Sequence, residues 1–170
     1  MDINLGRANS NQVLFRLINK AAYLTGLRLC ETEGGNMRNA IPREAQAIVI
    51  VPKDNEASFL NLIRLSVLDI KTELAAAEPD LQIECTGNGK PSRVMSHGLQ
   101  KKLVACVIGC PNGTIRMSDG IPGLVETSTN MAIVRISEDK INIHCLLRSS
   151  VESAKENLAD VMKAIFDLSG

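Results

Sequence analysis

Tryptophan is absent from this 170-residue chain, and one Tyr and three Phe are its only other large aromatic residues. Proteins that hold single-stranded nucleic acid stack bases on such rings, so the chain lacks the platforms of that class. Net charge is missing as well. Nineteen basic residues balance nineteen acidic ones, which gives no general pull toward nucleic acid or an anionic membrane. No apolar run approaches the roughly 20 residues that span a bilayer, and the first residues lack the charged and hydrophobic regions of a signal peptide. The expectation is a cytoplasmic protein with no nucleic-acid and no membrane partner.

Histidine is scarce too: His97 and His144 are the two in the chain. A hydrolytic zinc site needs at least three protein ligands, and neither His stands in a His-x-Asp pair or beside a carboxylate cluster. There is no Walker loop, no glycine fingerprint after a strand, and no His placed beside a Cys or Ser as a base. The residues themselves therefore predict neither a catalytic residue nor a metal ligand. Cys30, Cys85, Cys106, Cys110 and Cys145 are odd in number and scattered through apolar segments, which predicts buried free thiols rather than disulfides.

What is present is a strong periodic pattern. Asn9 or Ser10 caps a helix with Leu14, Leu17, Ile18, Ala21 and Leu24 on one stripe, stopped at Gly26. Strands follow at 27–33 and 45–51, and Asp54 or Asn55 caps a second helix with the stripe Phe59, Leu60, Ile63, Val67, Ile70 and Leu74. Leu81, Ile83 and Cys85 alternate with polar residues as a half-buried strand does. After a break at 88–92, a third helix carries Leu99, Leu103, Cys106 and Cys110. The segment 114–124 is irregular, strands at 125–136 and 140–147 join through a turn at 137–139, and Ser149 or Ser150 caps a last helix with Val151, Ala154, Leu158, Val161, Ile165 and Leu168. The order predicts an α+β fold, an antiparallel sheet backed by helices, built from two repeated helix-strand-strand-helix units with halves at 1–88 and 89–170. Helices on one face of the sheet leave the other free for a domain or a second subunit.

Three places carry polar chemistry. The stretch 33–45 sets two glycines, two asparagines, two arginines and a proline between two strand-like runs, a loop whose polar groups can face a ligand. In the last strand Ile141, Ile143, Cys145 and Leu147 share one face and Asn142, His144, Leu146 and Arg148 the other. Arg148 thus sits at a strand end before a helix start, where its guanidinium can take a carboxylate through two parallel hydrogen bonds and the helix adds donors. An exposed arginine paired with a surface acid is the competing reading. Thr127-Ser128-Thr129-Asn130 offers hydroxyls and one amide, and Asn130 can both donate to and accept from a peptide group.

The motifs Gly6-Arg7-Ala8-Asn9-Ser10-Asn11, the run from Glu33 to Ala45, Pro111-Asn112-Gly113, the run from Ile121 to Asn130, and Leu147-Arg148-Ser149-Ser150 resemble those of the aminoacyl-histidine dipeptidases, in the same order. These are cytosolic Xaa-His dipeptidases with two zinc ions. The likeness is to the lid or dimerisation domain inserted between the halves of their catalytic domain, and it implies that residues 1–170 form such a domain. It further implies a dipeptide substrate, contact with the chain's own catalytic domain, a homodimer, and two zinc ions held elsewhere in the full-length enzyme, with no cofactor or catalytic residue on this fragment. The fragment alone is then expected to be inactive. By the same likeness Arg148 binds the dipeptide's C-terminal carboxylate, while Asn39 and Asn130 hydrogen-bond its backbone. A stand-alone small-molecule-binding or oligomerisation module is the alternative.

Overall fold

The computed structural model describes residues 3–87, 89, 91, 93–137 and 140–170. Four helices and five strands follow the order α1 (Ser10–Thr25), β1 (Arg28–Gly34), β2 (Ala45–Ile50), α2 (Glu56–Glu73), α3 (His97–Gly109), β3 (Gly113–Met117), β4 (Val125–Ser137), β5 (Lys140–Ser149) and α4 (Glu152–Ser169). All pairings are antiparallel, and the fold is the expected α+β sheet with helices. The second half repeats the helix-strand-strand-helix order with one strand added, β3, in the segment expected to be irregular. An edge strand with two register shifts against β4 leaves no clean alternation to read.

Helix α1 starts where Asn9 Oδ1 accepts from the Asn11 and Gln12 amides, at 3.0 and 3.3 Å, and stops at Gly26 with φ +70°. Its buried stripe is centred on Phe15, Ile18 and Ala21, while Leu24, expected inside, is exposed. Asn55 is the N-cap position of α2 but does not cap with its side chain, since its Nδ2 donates to Thr25 O at 3.0 Å. Leu60 of the expected α2 stripe is exposed. Neither Ser149 nor Ser150 is the N-cap position of α4; Val151 is, and Ser149 Oγ accepts from its amide. In α4 the inward residues are Leu158 and Met162, with Val161 and Leu168 turned out. Each expected stripe includes residues that the helix turns outward, as happens when a helix contacts its neighbours along only part of its length.

All four helices contribute to one core, which joins Phe15, Ile18, Phe59, Leu103, Val107, Leu158 and Met162 to Leu29, Met131 and Val134 of the sheet. Residues 81–85 form no strand. Leu81 and Ile83 are half-buried between exposed Gln82 and Glu84, on the wall of a cleft of about 880 Å³ beside β2. Alternation records one-sided burial, and a segment lying on a surface satisfies it without pairing. The breaks expected at 88–92 and 137–139 include residues 88, 90, 92, 138 and 139, which lie outside the described ones. Cys30, Cys106 and Cys110 are buried as expected and Cys145 is half-buried, but Cys85 is exposed; all five are free.

Strand β4 organises the sheet. One of its edges pairs with β5 from Thr127 to Ser137, so β1, at 134–136, and β3, at 125–129, must share the other. Between them a short length of that edge has no strand beside it. Side chains finish the ladder there. Met131 N donates to Asn112 Oδ1 at 2.8 Å, and Met131 O accepts from Asn9 Nδ2 at 3.0 Å and Asn11 Nδ2 at 3.3 Å. At Leu27 and Leu29 of the first half, Gln100 does the same with both ends of its amide, each at 2.9 Å.

Candidate functional site

The three expected site residues meet around β4. Ile143, Cys145 and Leu147 pack on the core, so Arg148 points to the face of the sheet away from the helices. Register puts Arg148 opposite Ser128 and Leu146 opposite Asn130. Arg148 and Asn130 are therefore diagonal neighbours on one face, a separation of about 7–8 Å in such a ladder. Arg148 is exposed and, among the described residues, its side chain has no hydrogen bond or ion pair. The helix start that follows has one amide already engaged, that of Val151, by Ser149 Oγ at 3.0 Å.

Asn130 is 1% exposed and its amide is used within the chain. Its Oδ1 accepts from Asn9 Nδ2 at 3.2 Å, and its Nδ2 donates to Ala40 O at 2.7 Å. That second bond draws the 35–44 loop over the sheet face. Asn39, exposed, is the residue immediately before the anchored Ala40. So Asn130 is bonded to the loop that carries Asn39.

The loop is held at several further points. Gly35 N donates to Glu44 O at 3.3 Å across its base, and Ser10 N donates to Pro42 O at 3.1 Å. Arg43 makes a two-pronged pair with Glu78, Nη1 to Oε1 at 2.6 Å and Nη2 to Oε2, and Glu78 Oε1 also accepts from Ala8 N at 3.0 Å. Arg7 lies 3.8 Å from the same carboxylate. The hydrogen bonds from Arg43, then the bond from Ala8 and the two positive charges, hold the Glu78 carboxyl below its ordinary range against the opposing effect of burial. Gly35 has φ +73°, and a Cβ there would lie 1.9 Å from Ala132 O, so the glycine lets the loop leave β1 directly against β4.

Motifs distant in sequence thus converge: Asn9 and Ser10, Ala40 to Arg43, Asn112, and Asn130. The sequence gives no local sign of Glu78, which lies in an ordinary Glu-Pro-Asp segment after α2; its signal is a contact across the fold. Asn112 was visible as part of a motif, but its bond to the β4 backbone was not. His144 is half-buried opposite Ile133, and His97 is exposed at the start of α3.

The described residues do not fit a metal site, since no three His, Cys, Asp or Glu come together. Two of the thiols are held in their neutral form. Burial, reinforced by Cys106 and Cys145, pushes Cys110 up to about 12, and burial pushes Cys145 to about 11. The arrangement offers an exposed guanidinium, which suits an anion, near a polar loop whose amide side chains suit a peptide group. No helix among the described residues is long and apolar enough to cross a membrane.

The antiparallel sheet with helices on one face is a fold that known proteins share. Residues 1–78 match the family model of the peptidase dimerisation domain. The cytosol non-specific dipeptidase of Escherichia coli strain K12 is 33% identical over 171 residues, covering 99% of this chain and 35% of that protein. The crystal structure of aminoacylhistidine dipeptidase from Vibrio alginolyticus superposes with a TM-score of 0.97 at 34% identity, over 99% of this chain and 34% of that one. The chain spans about a third of the length of both relatives. The resemblance drawn from the motifs holds in sequence and in fold: nearly the whole chain is similar to part of such dipeptidases, and its first 78 residues match a peptidase dimerisation domain.

Proposed function

We propose that residues 1–170 are the lid and dimerisation domain of a cytosolic zinc dipeptidase acting on Xaa-His dipeptides, and that the domain grips the substrate without supplying a metal ligand. The observation that carries this reading is the unpaired Arg148 on the same sheet face as the Asn130-tethered loop. In the whole enzyme two zinc ions, held by a catalytic domain, would supply an activated water. The work of this chain is recognition. Arg148 takes the C-terminal carboxylate with two charge-assisted bonds, Asn39 meets the peptide backbone, and Asn130 keeps Asn39 in place. Since no cluster of metal-binding side chains stands among the described residues, the 170-residue chain alone is expected to hydrolyse no dipeptide.

The test is Arg148→Ala in the longer peptidase, assayed on a free dipeptide and on the same dipeptide with its C-terminus amidated. A lost charge-assisted bond is worth about 1.5–3 kcal/mol, so kcat/KM for the free dipeptide should fall by about 10- to 150-fold. The amidated substrate should be almost unaffected. Equal losses on both, or none, would remove Arg148 from the site.

A further inference from the structure

The 35–44 loop raises the question of what fixes its far limb. Asn130 anchors Ala40, but the limb returning to β2 is held by Arg43, and Arg43 by Glu78. Glu78 is the one Asp or Glu buried among the described residues. It belongs to neither the loop nor the sheet, and it joins the loop, through Arg43, to the segment leading into α1, through Ala8 N. Arg43 Nη1 also reaches Ala8 O at 3.4 Å. Loop, α1 entry and the segment after α2 thus share one carboxylate. We infer that Glu78 is a positioning residue for substrate recognition: through Arg43 it fixes the limb of the loop next to Asn39, and so the place at which Asn39 meets a dipeptide.

This rests on the reading of Asn39 and Arg148 as substrate-binding residues. A second pair on the molecule provides the comparison. Arg16 and Glu73 tie α1 to α2 with the same two-pronged geometry, at 2.5 and 2.7 Å, but touch no part of the loop. If Glu78 mattered only for holding the domain together, Glu78→Gln would lower the melting temperature and leave KM unchanged.

The experiment compares Glu78→Gln, Glu73→Gln and the exchanged pair Glu78→Arg with Arg43→Glu in the longer peptidase, with Arg148→Ala alongside. Glu78→Gln should raise KM for a free dipeptide about tenfold with kcat within about twofold, the pattern of lost ground-state binding. Hydrogen exchange should quicken at the amides of residues 36–41 and 43. Glu73→Gln should leave KM unchanged, and the exchanged pair should recover at least part of the loss. Unchanged KM and unchanged loop exchange in Glu78→Gln, while Arg148→Ala still weakens the free dipeptide, overturns the role of Glu78 alone. An inert Arg148→Ala overturns the underlying reading instead. Should Glu78→Gln fail to fold, the exchanged pair carries the test: loop exchange and KM near those of the parent support the clamp, and a folded exchanged pair with a free loop but normal KM overturns it.

Discussion

At the scale of single residues, the loop that gave the sequence its clearest feature depends on positions where no other residue fits. Gly35 combines a left-handed backbone with contact against Ala132 O. Gly35→Ala therefore faces both strain and a clash, and should destabilise the domain by more than about 1 kcal/mol. Urea unfolding followed by circular dichroism would measure it, and a loss below about 0.5 kcal/mol would mean that the loop relocates freely. Much here was legible beforehand. The paired glycines announced close approach, and the alternation of β5 put Arg148 on its correct face. Asn130 could be picked out but not understood, because an amide that reads as a ligand contact in a strand reads as a tether only once Ala40 is seen 90 residues away in the chain.

At the scale of elements, the order of helices and strands was largely readable while the strand partners were not. Periodicity found all four helices and the strands β1, β2, β4 and β5. It failed at β3, whose edge pairing is irregular, and at 81–85, whose alternation belongs to a cleft wall. What no pattern announced is that Asn9, Asn11, Asn112 and Gln100 serve as ladder partners. Asn112→Ala would leave the Met131 amide buried without an acceptor, a loss of about 1–3 kcal/mol. The same change frees Asn9, which also donates to Asn112 Oδ1 at 3.1 Å, so its effect should not add to that of Asn9→Ala. Thermal unfolding of the two single variants and the double one would show this as a double loss well short of the sum.

For the whole molecule, the two halves are joined by the sheet and by the polar contacts around β4, so events at the Glu78 clamp should be felt globally. The sign follows from its depressed pKa. The folded form prefers the carboxylate, so the clamp contributes fully above the group's ordinary value of 4.5 and is lost as pH falls through the lower folded value. Stability of the domain should therefore drop below about pH 4.5 with a steeper slope than in Glu78→Gln. Melting curves from pH 3 to 7 for both proteins decide it, and parallel profiles would show that other carboxylates dominate. As a proposed dimerisation domain, the chain should also show a concentration-dependent mass in sedimentation equilibrium, and a monomer throughout would count against that role for the isolated domain.

The stretch of β4 left without a neighbouring strand has one more implication. An unpaired strand edge is a template on which a foreign chain can grow, and sheets that associate with other chains need to govern where that happens. By filling this inner gap with amide side chains, which satisfy the backbone at Met131 yet cannot propagate a ladder, the fold leaves no vacant hydrogen-bonding register at that residue. The expected consequence is that these asparagines limit misassembly when the fold opens. A variant stripped of Asn112 should form amyloid-type aggregates, detected by thioflavin fluorescence, under conditions where the parent stays clear.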